Sequence, residues 1–370
     1  MEGSKITVLV VDDSPLMRKI ITDMLENSRR FKVLDTAQNG KIALQKIEML
    51  NPDVITMDVD MPIMDGFTCL KKIMEDNPRP VVMLSGLTQE GAHLTIRCLE
   101  VGAFDFVSKP LGGLARDIQQ IGDELIEKLI EAYQTRSRIS KRLNPQVTIT
   151  ERTAPRAILP LGAAVEKKQI ASKPFSTLAA NSLVVGIGIS TGGPVALRQV
   201  IPQLPPDFPG VVLVQHMPDT FTKAFADRLN AESQVEVKEA EDGDLVRTGR
   251  VLVAPGNFHM RVKKDKGYLK VVLSKEDTVS GHRPSVDVLF KSLAEEVGDK
   301  TVAVIMTGMG RDGATGLGLI KNAGGRTLAQ DEASCTVFGM PKVAIKEEAA
   351  DEIIPLNKIA SRLVSIVNKK

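Results

Sequence analysis

Residues 183–194 read LVVGIGISTGGP, and the fold of the second half of the chain turns on this stretch. Leu183, Val184, Val185, Ile187 and Ile189 form a short, largely β-branched apolar run, the pattern of a strand buried on both faces. The run stops at Ser190-Thr191-Gly192-Gly193-Pro194, after which Ala196, Leu197, Val200 and Ile201 return at helical spacing. A serine therefore stands at a strand-to-helix turn, flanked by glycines that let the backbone bend tightly. Gly188-Ile189-Ser190-Thr191-Gly192 fits the G-x-S-x-G elbow, which holds a hydroxyl clear of a sheet end, and the following helix aims free N–H groups beside it. The same residues also read as a connecting βα turn or a phosphate cradle. A dinucleotide fingerprint fits poorly, because G-x-G-x-x-G needs glycine where Thr191 stands.

The chain around this turn has 370 residues, enough for two or three domains with full cores. Apolar residues at 43% and charged residues at 25% are ordinary for a soluble protein and exclude a disordered or fibrous chain. The formal charge is +2 with basic residues dispersed, so no nucleic-acid footprint is present. Cys69, Cys98 and Cys335 lack metal-ligand spacing, as expected of free thiols in a reducing compartment. The first residues carry no signal-peptide pattern and no apolar run approaches bilayer length, which predicts a cytoplasmic protein without membrane insertion.

In the first half, apolar strands alternate with amphipathic helices. Strands are expected at 6–11, 33–37, 54–57, 81–84 and 103–107, with helices between them, so the spacing predicts a doubly wound parallel sheet of five strands. Ligands of such sheets bind at the strand carboxyl ends, where Asp12, Asp13, Asp58, Ser85 and Lys109 all fall. Any one of them could be a helix cap, as Asp13 or Ser14 could be, but five at successive strand ends favour a site. Carboxylates gathered there repel unless a cation holds them, and an all-oxygen site of few ligands suits Mg²⁺. Asp58 facing a metal and a lysine is placed to accept a phosphoryl group.

Residues 5–130 resemble a two-component receiver domain. Val10-Val11-Asp12-Asp13-Ser14, the D-x-x-M-P run from Asp58 to Pro62, and Val107-Ser108-Lys109-Pro110 carry the likeness. The resemblance implies phosphorylation of Asp58 by a histidine kinase, Mg²⁺ on Asp12, Asp13 and Asp58, Ser85 as switch hydroxyl, Phe106 as switch aromatic and Lys109 as phosphate partner. It also implies a cis bond at Lys109-Pro110.

A terminal helix is expected to end near Tyr133. Residues 135–180 then carry scattered arginines, lysines and prolines with sparse apolar periodicity, the composition of a linker. The expected division is a domain over 1–134, a linker over 135–180 and a second α/β domain over 181–370. In that domain strands are expected at 211–214, 251–254 and 302–306, a hairpin at 259–273, and helices at 221–230, 285–297 and 355–368. The fold class is thus α/β throughout, two doubly wound parallel sheets, the second Rossmann-like with a hairpin.

Ser190, His216 and Asp312 each follow a predicted parallel strand, so they converge on one sheet edge. A serine needs a base to take its proton, and a buried carboxylate orients that base. His216 alone among four histidines directly follows a strongly apolar strand; His259 and His282, in hairpin or loop context, read as structural, and His93 belongs to the first domain. Thr191 and Met309 are candidate oxyanion donors. Asp312 also reads as an Asp-Gly turn residue. The order Ser, His, Asp departs from the α/β-hydrolase order.

The second half is similar to the chemotaxis protein-glutamate methylesterases, the CheB family, over residues 181–345. Gly188 to Pro194, Val214 to Pro218, Ala254-Pro255-Gly256, His282 to Asp287, Met306 to Gly313 and Phe338 to Pro341 carry the resemblance. It implies a serine hydrolase using Ser190, His216 and Asp312 on γ-glutamyl methyl esters of chemoreceptors, with glutamine deamidation open to the same acyl-enzyme chemistry and no cofactor in this domain. A receiver that covers Ser190 until Asp58 is phosphorylated is the expected control. Two rivals remain at this point: a phosphorylation-controlled docking protein without turnover, and a DNA-acting regulator, against which no helix-turn-helix or basic helix is present.

Overall fold

The computed structural model describes residues 5–86, 88–109, 115–143 and 183–368. The first domain runs β1 (Ile6–Val11), α1 (Pro15–Asn27), β2 (Phe31–Ala37), α2 (Gly40–Leu50), β3 (Val54–Asp58), α3 (Gly66–Asp76), β4 (Val81–Ser85), α4 (Gln89–Val101), β5 (Asp105–Ser108) and α5 (Ala115–Leu143). Its strands form a parallel sheet in the order β2-β1-β3-β4-β5, as the alternating pattern predicts. β1, β3 and β4 are buried along almost their whole length, the burial that continuous Val, Ile, Leu and Met runs require. Ser14 does cap α1, accepting from Met17 N.

The last helix of this domain continues to Leu143, past both Tyr133 and residue 134. Arg136, Arg138, Lys141 and Arg142 lack an apolar stripe and read as linker, yet they are strong helix formers, and the Arg136 guanidinium lies 3.7 Å from the Tyr133 ring centre. The remainder of the expected linker, and the Lys109–Pro110 bond, lie outside the described residues.

The second domain contains β6 (Val184–Ile189), α6 (Gly193–Val200), β7 (Val211–Gln215), α7 (Asp219–Glu232), β8 (Glu236–Glu239), β9 (Arg250–Val253), β10 (His259–Asp265), β11 (Tyr268–Ser274), α8 (Val286–Glu296), β12 (Thr301–Ile305), α9 (Ala314–Asn322), β13 (Arg326–Gln330), α10 (Met340–Lys346), β14 (Glu352–Ile354) and α11 (Leu356–Val367). Seven strands form one parallel sheet, β14-β13-β12-β6-β7-β9-β8, and β10 and β11 form the expected hairpin. From β6 the chain winds outward through β7, then returns to the other side of β6 at β12. The crevice where the winding reverses therefore opens between β6 and β12, and ligands bind at such crevices.

Candidate functional site

Ser190 follows β6, His216 follows β7 and Asp312 follows β12, so the reversal of winding gathers all three at one edge. The Ser190 turn is fixed by its own backbone: Ser190 N donates to Thr307 O at 2.9 Å, and Gly193 N donates to Ser190 O at 2.8 Å. Gly192 carries the positive φ of the turn, +78°, while Ser190 is not among the residues with positive φ. The strain that marks a hydrolase elbow is thus shifted onto glycine, and the G-x-S-x-G match is one of sequence more than of geometry. Gln215 ties the turn to its neighbour, its Nε2 donating to Ser190 O and His216 O, both at 3.0 Å.

His216 Nε2 lies 2.8 Å from Asp312 Oδ2. A carboxylate there places the proton on Nε2 and leaves Nδ1 with the lone pair. That Nδ1 is buried and has no hydrogen-bond partner among the described residues. Asp312 is 1% exposed and sits at the N-terminus of α8, where it accepts from Ser285 Oγ (2.7 Å), Val286 N (2.7 Å) and Asp287 N (3.2 Å). Burial would raise its pKa, but the bonds from His216, Ser285 and Val286 outweigh it and hold the carboxyl at about 2. The group is a permanent anion at neutral pH.

A second imidazole completes the stack. The His282 ring lies parallel to His216, with centroids 3.8 Å apart and planes 12° apart. Burial, then the neighbouring His216, lowers its pKa to about 4, so it is neutral at working pH. His259 instead stands behind the site: its Nδ1 accepts from Ser285 N at 3.3 Å and its Nε2 meets Asp277 O at 2.9 Å. It braces the loop that presents Ser285 to Asp312.

In the first domain, Asp12, Asp13 and Asp58 place carboxylate oxygens within 4.8 Å of one another. Lys109 Nζ bridges two of them, 2.7 Å from Asp12 and 2.8 Å from Asp58. Burial, and secondarily the Asp12 charge, raises the Asp58 pKa to about 6 despite that lysine. Hard oxygen ligands in surplus over cationic charge fit a divalent cation such as Mg²⁺. Ser85 is buried at the end of β4, where its Oγ accepts from Thr95 Oγ1 at 2.7 Å.

Ser190, Thr191, His216, His282 and Met309 line a cavity of about 870 Å³ whose other side is built by Asp105, Phe106, Glu127 and Lys128 of the first domain. The Phe106 ring packs against Phe221 of α7 with centroids 4.4 Å apart. Thr191 Oγ1 donates to Asp105 Oδ2 at 2.9 Å. Glu100 of α4 pairs with Arg228 at 2.9 Å and Arg198 at 3.2 Å.

A family model described as CheB methylesterase matches residues 185–363, and one described as response regulator receiver domain matches residues 8–118. A protein-glutamate methylesterase/protein-glutamine glutaminase 2 of Koribacter versatilis is 45% identical over 98% of this chain and 97% of its own length. Its Bacillus subtilis counterpart is 45% identical over 99% of both. The chain belongs to the CheB methylesterase family. The catalytic domain of Thermotoga maritima CheB, a solved structure, is 46% identical, covers 50% of this chain and 99% of its own, and superposes with a TM-score of 0.50. The protein is therefore a receiver-bearing hydrolase of chemotaxis, and the α/β reading of both halves holds. Among the described residues, no helix is long and apolar enough to cross a membrane.

Within this CheB framework the expected residues sit where the strand ends put them. Two further residues stand against them. His282, read as structural because a loop histidine far along the chain carries no periodic signal, lies against His216. Asp105 went unnoticed between Phe104 and Phe106, although a carboxylate inside a buried apolar strand was itself a signal.

Proposed function

We propose that this protein hydrolyses γ-glutamyl methyl esters of chemoreceptors through Ser190, His216 and Asp312, at a rate set by phosphorylation of Asp58. The observation that carries the chemistry is the His216 ring, spent on Asp312 through Nε2 and free at Nδ1 in the cavity that Ser190 lines. Ser190 Oγ attacks the ester carbonyl as Nδ1 takes its proton. The oxyanion is met by the N–H groups of Thr191 and Met309, neither of which donates to a backbone carbonyl among the described residues. Collapse returns the proton from Nδ1 to the leaving methoxide, releasing methanol and leaving an acyl-Ser190 ester. Water deprotonated by Nδ1 then attacks that ester, Ser190 recovers its proton, and the γ-carboxylate departs. A glutamine side chain releases ammonia by the same steps, which matches the second activity in the relatives' name.

Asp12, Asp13 and Asp58 would hold Mg²⁺, which neutralises charge on the phosphoryl group and its acceptor. The kinase phosphodonor transfers to Asp58, and Lys109 is poised to pair with the new phosphate. Gating is supported by the cavity wall: the receiver's switch aromatic, Phe106, is itself an interface residue. Methanol release from methylated receptor, with and without Mg²⁺ and acetyl phosphate, tests both parts. Release that rises with the phosphodonor and vanishes in Ser190→Ala is expected. Release indifferent to the phosphodonor would remove the gate, and no release at all would remove the esterase.

A further inference from the structure

Asp105 is 8% exposed at the start of β5, where an unpaired carboxylate would be costly. Its Oδ1 accepts from Phe106 N at 2.8 Å, and its Oδ2 faces Lys128 Nζ at 3.6 Å and accepts Thr191 Oγ1 at 2.9 Å. Lys128 is held in turn by Phe106 O at 2.6 Å and Glu124 at 2.7 Å. Thr191 is gripped from its own domain as well, its carbonyl accepting Thr307 Oγ1 at 2.9 Å. One hydrogen bond thus joins the residue after Ser190 to the strand that carries Phe106 and ends beside Lys109.

We propose that Asp105 is the latch of the unphosphorylated protein: its carboxylate, set by Lys128, holds the Ser190-Thr191 turn through the Thr191 hydroxyl, and motion of β5 on phosphorylation releases it. The proposal rests on the gated-esterase reading above. A conformational switch needs contacts that differ between its two states, and this bond exists only while the domains are docked. β5 supplies the link. Lys109, directly after its last residue, holds Asp12 and Asp58; Phe106, its second, packs on Phe221; Asp105, its first, grips Thr191. A charge reorganised at Asp58 pulls on one end of a four-residue strand whose other end carries the latch. Lys128 lines the same cavity as His216 and His282, and after burial and His216 itself its charge contributes to the lowered pKa of His282.

The test uses the full-length protein and a short peptide bearing a γ-glutamyl methyl ester, assayed with and without Mg²⁺ and acetyl phosphate. Losing a charge-assisted hydrogen bond, Asp105→Ala should raise the unphosphorylated rate about tenfold and leave the phosphorylated rate unchanged, so the activation ratio falls by the same factor. Asp105→Asn keeps an acceptor for Thr191 and should retain most of the restraint. Should Asp105→Ala disturb the receiver core, Thr191→Val removes the same bond from the other domain and should lower the activation ratio equally. The double variant should show no further change. An activation ratio that stays within about twofold of the parent in both single variants would overturn the latch while the gate stands. A parent protein that hydrolyses nothing under either condition would overturn the functional reading, and the latch with it.

Discussion

At His216 the two ring nitrogens stand in different surroundings: the Asp312 carboxylate takes Nε2, and Nδ1 has no partner among the described residues, so the proposed mechanism gives Nδ1 to the serine, the reverse of the trypsin-like arrangement. Ser190→Ala or His216→Ala should cost on the order of 10⁶ in turnover, and Asp312→Ala less, because a triad acts as a unit. Equal and modest losses in methanol release for all three would contradict the roles assigned to them. Asp58 supports a different measurement. Its folded pKa, about 6, lies above the ordinary carboxylate value of 3.8, because burial disfavours the charged form, so the folded state holds a proton more tightly than the unfolded chain. This group therefore favours folding below about pH 4, and that advantage is lost as pH rises through about 6. In metal-free protein at neutral pH, Asp58→Asn should therefore raise stability by about 1–3 kcal/mol. Denaturant titration with and without Mg²⁺ would check it, the stabilisation by Mg²⁺ being much smaller in the variant.

Elements differ in how openly the sequence declares them. β1, β3, β4, β6, β7 and β12 are legible because a strand buried on both faces must be a nearly unbroken apolar run. β8 reads Glu-Val-Lys-Glu and β14 Glu-Ile-Ile; as short edge strands with charged residues they carry too little pattern to be seen, and both escaped notice. The candidate triad was legible for the same reason as the strands that deliver it. His282 was not, since only the folding of its loop brings it onto His216, and no spacing encodes that. The βα turn at Ser190 allows a sharper test. A Cβ on Gly193 would lie 1.8 Å from Gln215 Oε1, the far end of the side chain that ties Ser190 O to His216 O. Gly193→Ala should displace Gln215, lowering stability by about 1–3 kcal/mol and turnover by a larger factor. Thermal unfolding alongside kcat would separate the two.

Across the whole molecule the domains are joined by charge at one edge and by apolar packing at the other. Glu100 draws in Arg198 and Arg228, and these pairs are partly exposed, so each is worth little alone. Glu100→Arg places like charges together and should raise the unphosphorylated rate several-fold, less so at high salt, with the phosphorylated rate unaltered. Assays at two ionic strengths would show it. The apolar side has another consequence. Val337 and Met309, which border the Ser190 turn, share a core cluster with Leu129 and Ala132 of α5, and a second cluster runs from Ile96 and Phe106 to Phe221 and Phe225. Cores that interpenetrate in this way should unfold as a single cooperative unit. Calorimetry of the unphosphorylated protein should then record one transition, and a stable phosphate mimic on Asp58 should split it into two. The cooperativity of melting becomes a readout of the regulatory state that needs no substrate.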